Sequence, residues 1–296
     1  MPSLSVVRAA NAKWSPSKPP TTVFLGGTSG IGQALARALA RYTDGNAHIV
    51  LCGRSRATAD TTLASLPRGP HAKHAFEPCD ASLMRGAAAT TATLRARLPK
   101  LNVLVLSPGF FSLRGRDPSS EGIDRRLALF YYARWKFVHD LLPLLRAARD
   151  AGEDARVMSV LAPGTGGRID LDDLGLKQRY NIARAYRAVP TYNDLMIEAF
   201  AEREPGIAFT HAFPGIVRTP MMGRLFQTLL YPIATAPDVC AEHLLYALLA
   251  ADPGASRWDN KGNNMGKTRY YGSDEARQRL WEHTEQEIDR AMKVEA

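Results

Sequence analysis

An open, doubly wound parallel α/β sheet in a single domain is the fold that this 296-residue sequence predicts. Short apolar runs without polar alternation recur along the chain, the mark of strands buried on both faces. Between them lie longer segments whose apolar residues repeat at three- and four-residue steps, the mark of helices packed along one side. Strands that alternate with helices pair in parallel through right-handed crossovers. The turn between the first strand and the first helix is rich in glycine. No repeat, low-complexity tract or change of composition marks a second domain.

The elements follow in order. Residues 1–20 are polar and proline-containing, and read as an extension that packs over the first strand or stays mobile. The domain proper takes 21–296. Thr22–Leu25 is a short strand, and Ile31, Leu35, Leu39 and Tyr42 form the stripe of the helix after it. His48–Cys52 is the next buried strand. Leu83, Ala87, Leu94 and Leu98 mark a helix, Val103–Leu106 a strand, and Ile123 to Leu144 a long helix. Arg156–Leu161 and Ile207–Phe213 are strands around a helix that holds Leu195, Met196, Ala199 and Phe200. Met221–Ile233 and Val239–Ala250 look helical, and Asp259–Gly266 looks like a loop. Residues 220–238 form a C-terminal substrate lid in this reading. Its apolar residues (Met221, Met222, Leu225, Phe226, Leu229, Leu230, Tyr231) equally suit helix packing or a dimer face.

Composition excludes several classes. The net charge is +9, but Arg95, Arg97, Arg125, Arg126, Arg146 and Arg149 are scattered, as on solvated helix faces, so no nucleic-acid partner is expected. The three cysteines (Cys52, Cys79, Cys240) are far apart, which argues against a disulfide framework or zinc site and for a reducing, cytoplasmic setting. The histidines show no metal-ligand spacing, so no metal is expected. No apolar run is long enough to span a bilayer.

Gly26-Gly27-Thr28-Ser29-Gly30-Ile31-Gly32 links the first strand to the first helix. Glycines there allow unusual backbone angles and let a pyrophosphate approach the main chain. The helix N-terminus offers free N–H donors and partial positive charge. The turn in this context predicts a dinucleotide-binding Rossmann fold, with the structural glycine turn as the plainer alternative.

From Thr21 to Glu282 the chain resembles the short-chain dehydrogenase/reductase family. Gly26, Gly30 and Gly32 match the family's glycine turn, which brings Thr28, Ser29 and Ile31 to the cofactor. Asp80 matches the aspartate that meets the adenine. Leu106-Ser107-Pro108-Gly109 stands where the family has N-N-A-G, and implies cofactor contacts from Ser107 and Gly109. Pro214-Gly215-Ile216-Val217-Arg218-Thr219 matches the P-G-x-V-x-T beside the nicotinamide, with Pro214, Gly215, Val217 and Thr219 as its site residues. Leu171-Asp172-Asp173-Leu174 and Leu280-Trp281-Glu282 resemble the retinol-dehydrogenase-like branch, and Ser3 to Ser17 with Tyr192–Met196 resemble its fungal members. No acid ends the second strand, where NAD-binding members carry one; Arg54 and Arg56 stand there and suit a 2′-phosphate, so NADP(H) is the expected cofactor.

The catalytic positions depart from the family's pattern. The Ser position falls on Ala162, with Ser159 three residues earlier inside the strand. The Asn position falls near Phe130, the Tyr position on Tyr186 and the Lys position on Pro190. Proline has no charge and no N–H, and it biases Val189 away from helical angles. The helix is therefore expected to start near Pro190, which puts Tyr186 before it and Tyr192 in its first turn. Tyr186 and Tyr192 are both candidate acids, against a packing role for either. Arg134 and Lys136 read as surface residues or as a cation beside the pocket. The reading is an NADP(H)-dependent oxidoreductase with an atypical active site, acting on an apolar carbonyl or alcohol of secondary metabolism. A non-redox isomerase or cyclase and an inactive nucleotide-binding protein stay open beside it. A homo-dimer or tetramer is compatible with the resemblance.

Overall fold

The computed structural model describes residues 2–220, 232 and 234–294. Helix α1 (Leu4–Asn11) precedes β1 (Thr21–Leu25), α2 (Gly30–Tyr42), β2 (His48–Gly53), α3 (Arg56–Ala64), β3 (Ala75–Pro78), α4 (Met84–Arg97) and β4 (Val103–Leu106). Then come the short α5 (Arg125–Leu127), a π-helical turn (Ala128–Tyr132), α6 (Ala133–Asp150), β5 (Arg156–Val160), α7 (Ile182–Arg203), β6 (Ala208–Ala212), α8 (Pro237–Ala250), β7 (Gly254–Trp258) and α9 (Asp274–Met292). The sheet has seven strands in the order β3-β2-β1-β4-β5-β6-β7. Every pairing is parallel. One core layer joins the sheet to α4, α6, α7 and α9, and the other joins it to α2, α3 and α8. The doubly wound sheet is thus as expected. Among the described residues no helix is long and apolar enough to cross a membrane.

The N-terminal extension docks through α1 on α8, and Trp14 packs against the core layer that holds Phe24 of β1. Asn11 Nδ2 donates to the Glu242 carbonyl and to Glu242 Oε2, each at 3.0 Å, which fixes α1 on α8. The long helix expected from Ile123 is interrupted by the π turn, whose displaced carbonyls find side-chain donors. Leu129 O accepts from Arg134 Nε at 3.2 Å, and Phe130 O accepts from Asn193 Nδ2 at 2.8 Å.

Pro190 does not start a helix. α7 begins at Ile182, where Asn181 Oδ1 accepts from Arg184 N at 2.8 Å, and it runs through Pro190. A proline inside a helix typically costs about 3 kcal/mol, because a hydrogen bond is lost and the ring crowds the preceding turn. Here another segment docks on the break. Gly167 N donates to Arg187 O at 3.1 Å, and Thr191 Oγ1 donates to Gly167 O at 2.8 Å. Gly166 has no space for a Cβ, which would collide with Thr191 Oγ1. Tyr186 therefore lies within the helix, one turn before the proline.

Polar groups cross the core between these elements. Ser159 Oγ donates to Asn193 Oδ1 at 2.6 Å, and Asn193 Nδ2 also donates to Val189 O at 2.8 Å. On β6, His211 is fully buried. It accepts the Ala162 N–H on Nε2 at 3.1 Å, so its own proton sits on Nδ1 and is donated to Asp194 Oδ1 at 2.6 Å. Burial, aided by Arg134 and Arg257 and opposed by Asp194, holds its pKa below the ordinary 6.5.

Asn193→Ala removes an acceptor and two donated bonds from the core, and should destabilise the protein by on the order of 2–3 kcal/mol in denaturant titration. His211 gives the second prediction. The unfolded chain takes up its proton near 6.5 and the folded chain does not, so stability is full above that pH and falls below it. In calorimetry, wild type should lose more stability between pH 7 and 5 than His211→Gln does.

Candidate functional site

A cleft of about 440 Å³ opens over the carboxyl ends of the strands. It lies where the chain order reverses between β1 and β4, the place where open α/β sheets bind ligands. Its floor is the glycine turn. Gly26 has φ +83°, and a Cβ there would lie 2.9 Å from Pro108 N and Ser107 C. Only glycine lets the two turns touch. Gly30 has φ +58°, and a Cβ there would lie 3.3 Å from Thr219 Cγ2, so Thr219 closes over the turn. Ser29 starts α2 without a side-chain cap, and leaves the helix N–H groups facing the cleft. Ser107 Oγ is anchored by donation to Leu25 O at 3.2 Å.

Most of the expected cofactor residues meet here: Gly26, Thr28, Ser29, Gly30 and Ile31 from the turn, Arg54 and Asp80 from the ends of β2 and β3, and Ser107, Gly109 and Thr219. Asp80 Oδ1 accepts from Ser82 N at 2.9 Å and Ser82 Oγ at 2.7 Å, which shapes the loop after β3. Arg54 is exposed and makes no ion pair or hydrogen bond among the described residues.

Five expected cofactor residues do not line the cleft. Arg56 is a correction: it starts α3, pairs with Asp60 at 3.9 Å and lies over the Phe76 ring, off the cleft. Gly32 sits beneath the turn, where a Cβ would collide with Ser107 Oγ and Gly26 O. Pro214, Gly215 and Val217 shape the segment that presents Thr219. Gly215 has φ +73° against Asn260, and Val217 bridges to Thr235. That bridge joins both ends of the expected lid, with Thr235 N donating to Ile216 O at 2.8 Å and Arg218 N to Thr235 O at 3.0 Å. Most of the lid itself, residues 221–231 and 233, lies outside the described residues.

Sequence reasoning missed other parts of the wall. Phe110, Asp117, Arg125 and Leu129 line the cleft from the excursion after β4. Arg125 Nε pairs with Asp117 Oδ2 at 3.6 Å. Phe110 and Asp117 lie where the sequence shows no helical or strand period, and the helical stripe that contains Arg125 and Leu129 gives no sign that they face a cleft. Cys79 and Ser82 lie beside the recognised Asp80, and that adjacency was the available signal. The three cysteines are free and buried, and burial raises all their pKa values, Cys79 to about 11 and Cys240 to about 12. None is a thiolate nucleophile at neutral pH.

The two candidate acids separate. Tyr192 is 1% exposed, and its hydroxyl donates to Leu174 O at 2.8 Å. Burial pushes its pKa far up, and it does not reach the cleft; its role is packing, a correction to the expectation. Tyr186 is half-buried and does not line the cleft either, but it lies behind the Phe110 loop. Its hydroxyl donates to Ser112 O at 3.3 Å, on the loop that presents Phe110, and the Arg126 guanidinium lies 4.8 Å from its ring centroid. Arg126 Nη2 donates to the same Ser112 carbonyl at 2.9 Å. Phe130 stacks on Phe110 at 6.1 Å between ring centroids, so this wall is apolar. Lys136 turns away to Asp140 at 3.0 Å. Arg134 is not a surface residue: it is 1% exposed beneath the cleft wall.

Residues 20–162 match the family profile described as short chain dehydrogenase. Oxidoreductase AN1596 of Emericella nidulans is 37% identical over 236 residues, which span 79% of this chain and 68% of the relative. Oxidoreductase andH of Emericella variicolor is 31% identical over 88% of this chain and 80% of its own length. Among solved structures, NADPH-bound carbonyl reductase from chicken fatty liver superposes with a TM-score of 0.64 at 19% identity, over 84% of this chain and 99% of that one. With a parallel seven-stranded sheet and a glycine-floored cleft at its switch point, the chain belongs to the short-chain dehydrogenase/reductase family of oxidoreductases.

Proposed function

We propose that this chain is an NADP(H)-dependent oxidoreductase acting on an apolar carbonyl or alcohol, in a cytoplasmic role in secondary metabolism. The observation that carries the cofactor choice is Arg54. It directly follows β2 at the cleft, no acid stands at that strand end to take a ribose 2′-hydroxyl, and its guanidinium is unpaired among the described residues. A guanidinium suits the bidentate geometry of a 2′-phosphate. The cradle fits the rest of the group. Gly26 and Gly30 allow a pyrophosphate against the turn, and the uncapped start of α2 supplies N–H donors.

When bound, the nicotinamide supplies or accepts the hydride. The chain's own residues bind, orient and move the proton. Ser107 and Gly109 shape the wall beside the reacting end, and Thr219 closes over the turn. Phe110 and Leu129 offer an apolar wall to the substrate. Tyr186 is the proposed proton donor at its hydroxyl, which exchanges the Ser112 carbonyl for the substrate oxygen. Its ring is held by Arg126.

A second reading, a non-redox isomerase or cyclase or an inactive nucleotide-binding protein, draws on Ala162, Phe130 and Pro190, which carry no proton-handling group. Product formed without cofactor turnover would favour the first of these, and binding without any turnover the second.

Titration by nicotinamide fluorescence should give tight NADPH binding and weak NADH binding, with Arg54→Ala reducing NADPH affinity by on the order of tenfold or more and leaving NADH unchanged. Equal affinities in wild type would refute the NADP preference. Tyr186→Phe should lower kcat by a factor of order 10²–10⁴ with the NADPH Kd unchanged. An undiminished kcat would assign Tyr186 to packing.

A further inference from the structure

Arg134 is a buried cation without a buried anion. Its side chain is 1% exposed. Its guanidinium donates only to neutral oxygens: the carbonyls of Leu129, Leu106, Val160 and Pro108, and Ser159 Oγ. Among the described residues no carboxylate pairs with it. The buried Asp194 is taken by Arg257 at 2.9 Å and by His211. Asp194 is thus neutralised by Arg257, and the charge of Arg134 is left as a local surplus. An uncompensated charge in a low-dielectric interior is expensive to keep. Burial pushes the pKa of Arg134 down to about 9, which leaves it charged at neutral pH.

The position of that surplus is informative. Leu106 and Val160 end β4 and β5, and Pro108 lies in the cleft wall above them. The adenosine end of a dinucleotide belongs on the other side, at Arg54 after β2 and Asp80 after β3. A dinucleotide laid along the carboxyl ends of the strands would bring its second base toward the ends of β4 and β5, whose carbonyls Arg134 holds from below. An oxidised nicotinamide ring carries a positive charge and a reduced ring carries none. A fixed cation beneath the wall repels only the oxidised form.

We propose that Arg134 is an electrostatic positioning residue that makes the cleft bind NADPH more tightly than NADP⁺, and so poises the site as a carbonyl reductase. The proposal rests on the dinucleotide reading of the cleft. In that direction the carbonyl carbon takes the hydride and its oxygen takes a proton, giving the alcohol as the nicotinamide is oxidised. The ring's new positive charge then faces Arg134, and NADP⁺ is released more readily.

The test is the ratio of the NADP⁺ and NADPH dissociation constants, measured by calorimetry on the full chain at pH 7 without substrate. The two ligands differ only in the nicotinamide ring, by the hydride at C4 and the charge it cancels, so a merely structural role for Arg134 moves the ratio no differently in the neutral variants than in Arg134→Lys. Wild type should bind NADPH about tenfold or more tightly, the scale of one charge acting within a protein. Arg134→Met should bring the ratio toward one, and Arg134→Lys should keep most of it. Arg134→Gln, which retains donors for the carbonyls without the charge, serves if the Met variant does not fold. A wild-type ratio at or below one, or a ratio unchanged in the neutral variants, overturns the proposal. Failure of wild type to bind either dinucleotide overturns the reading of the cleft itself, a distinguishable outcome.

Discussion

The cleft depends on the hydrogen bonding of one buried guanidinium. Arg134 ties the ends of β4 and β5 through Leu106 O and Val160 O, the wall through Pro108 O, the π turn through Leu129 O, and β5 again through Ser159 Oγ. Carbonyls at the ends of parallel strands have no further strand residue to accept from, and in an apolar interior they need a donor. A planar group with five N–H donors serves several at once. Fixing Pro108 this way brings it against Gly26, where a Cβ would fall 2.9 Å from Pro108 N. The glycine turn, the wall and the start of α2 are thus held as one unit. Preorganisation of this kind lets a site bind an anion without ordering it first.

The same network explains how α7 accepts Pro190. Asn193, one turn after the proline, is bonded to Ser159, Phe130 O and Val189 O, and Thr191 holds the Gly166–Gly167 segment on the other side of the break. Each contact offsets part of what the missing N–H removes. The helix continues through Pro190, so Tyr186 and Tyr192 share one helical register and diverge. Six residues apart is about 600° at 100° per residue, so the two side chains point toward different sides of the helix. Tyr186 faces Arg126 and Ser112, while Tyr192 faces Tyr131 and Leu174 O.

Much of this was legible in the residues. The apolar runs of β1, β2, β4, β5 and β6 gave the sheet, and the glycine turn gave the cleft floor. Short or polar pieces were not legible. β3 has only four residues, β7 begins with Gly254, and α3 carries threonines and an aspartate with little apolar stripe. Local rules also misled at Pro190, because tertiary docking outweighed a propensity that reads only neighbouring residues. Arg134 was misread for a related reason. A charged residue on a helix is ordinarily at the surface, and only the convergence of distant carbonyls reveals that this one is inside. Arg56 failed the other way: its helical start turned it toward Asp60 and Phe76, and left Arg54 alone at the cleft.

Phe130, Ala162 and Pro190 carry no proton-handling group, yet each is built firmly into the structure. Phe130 stacks with Phe110 into an apolar wall, Ala162 keeps its backbone fixed by His211, and Pro190 is locked by Thr191 and Asn193. None of the three can relay a proton. What remains is rigid geometry and fixed charge. Electrostatic preorganisation is often the largest single contribution an enzyme makes, and it requires dipoles and charges held in place before the reaction. In the proposed reading, Arg134 beneath the wall and Arg126 against the ring of Tyr186 supply that contribution, and the phenol of Tyr186 is the one acid.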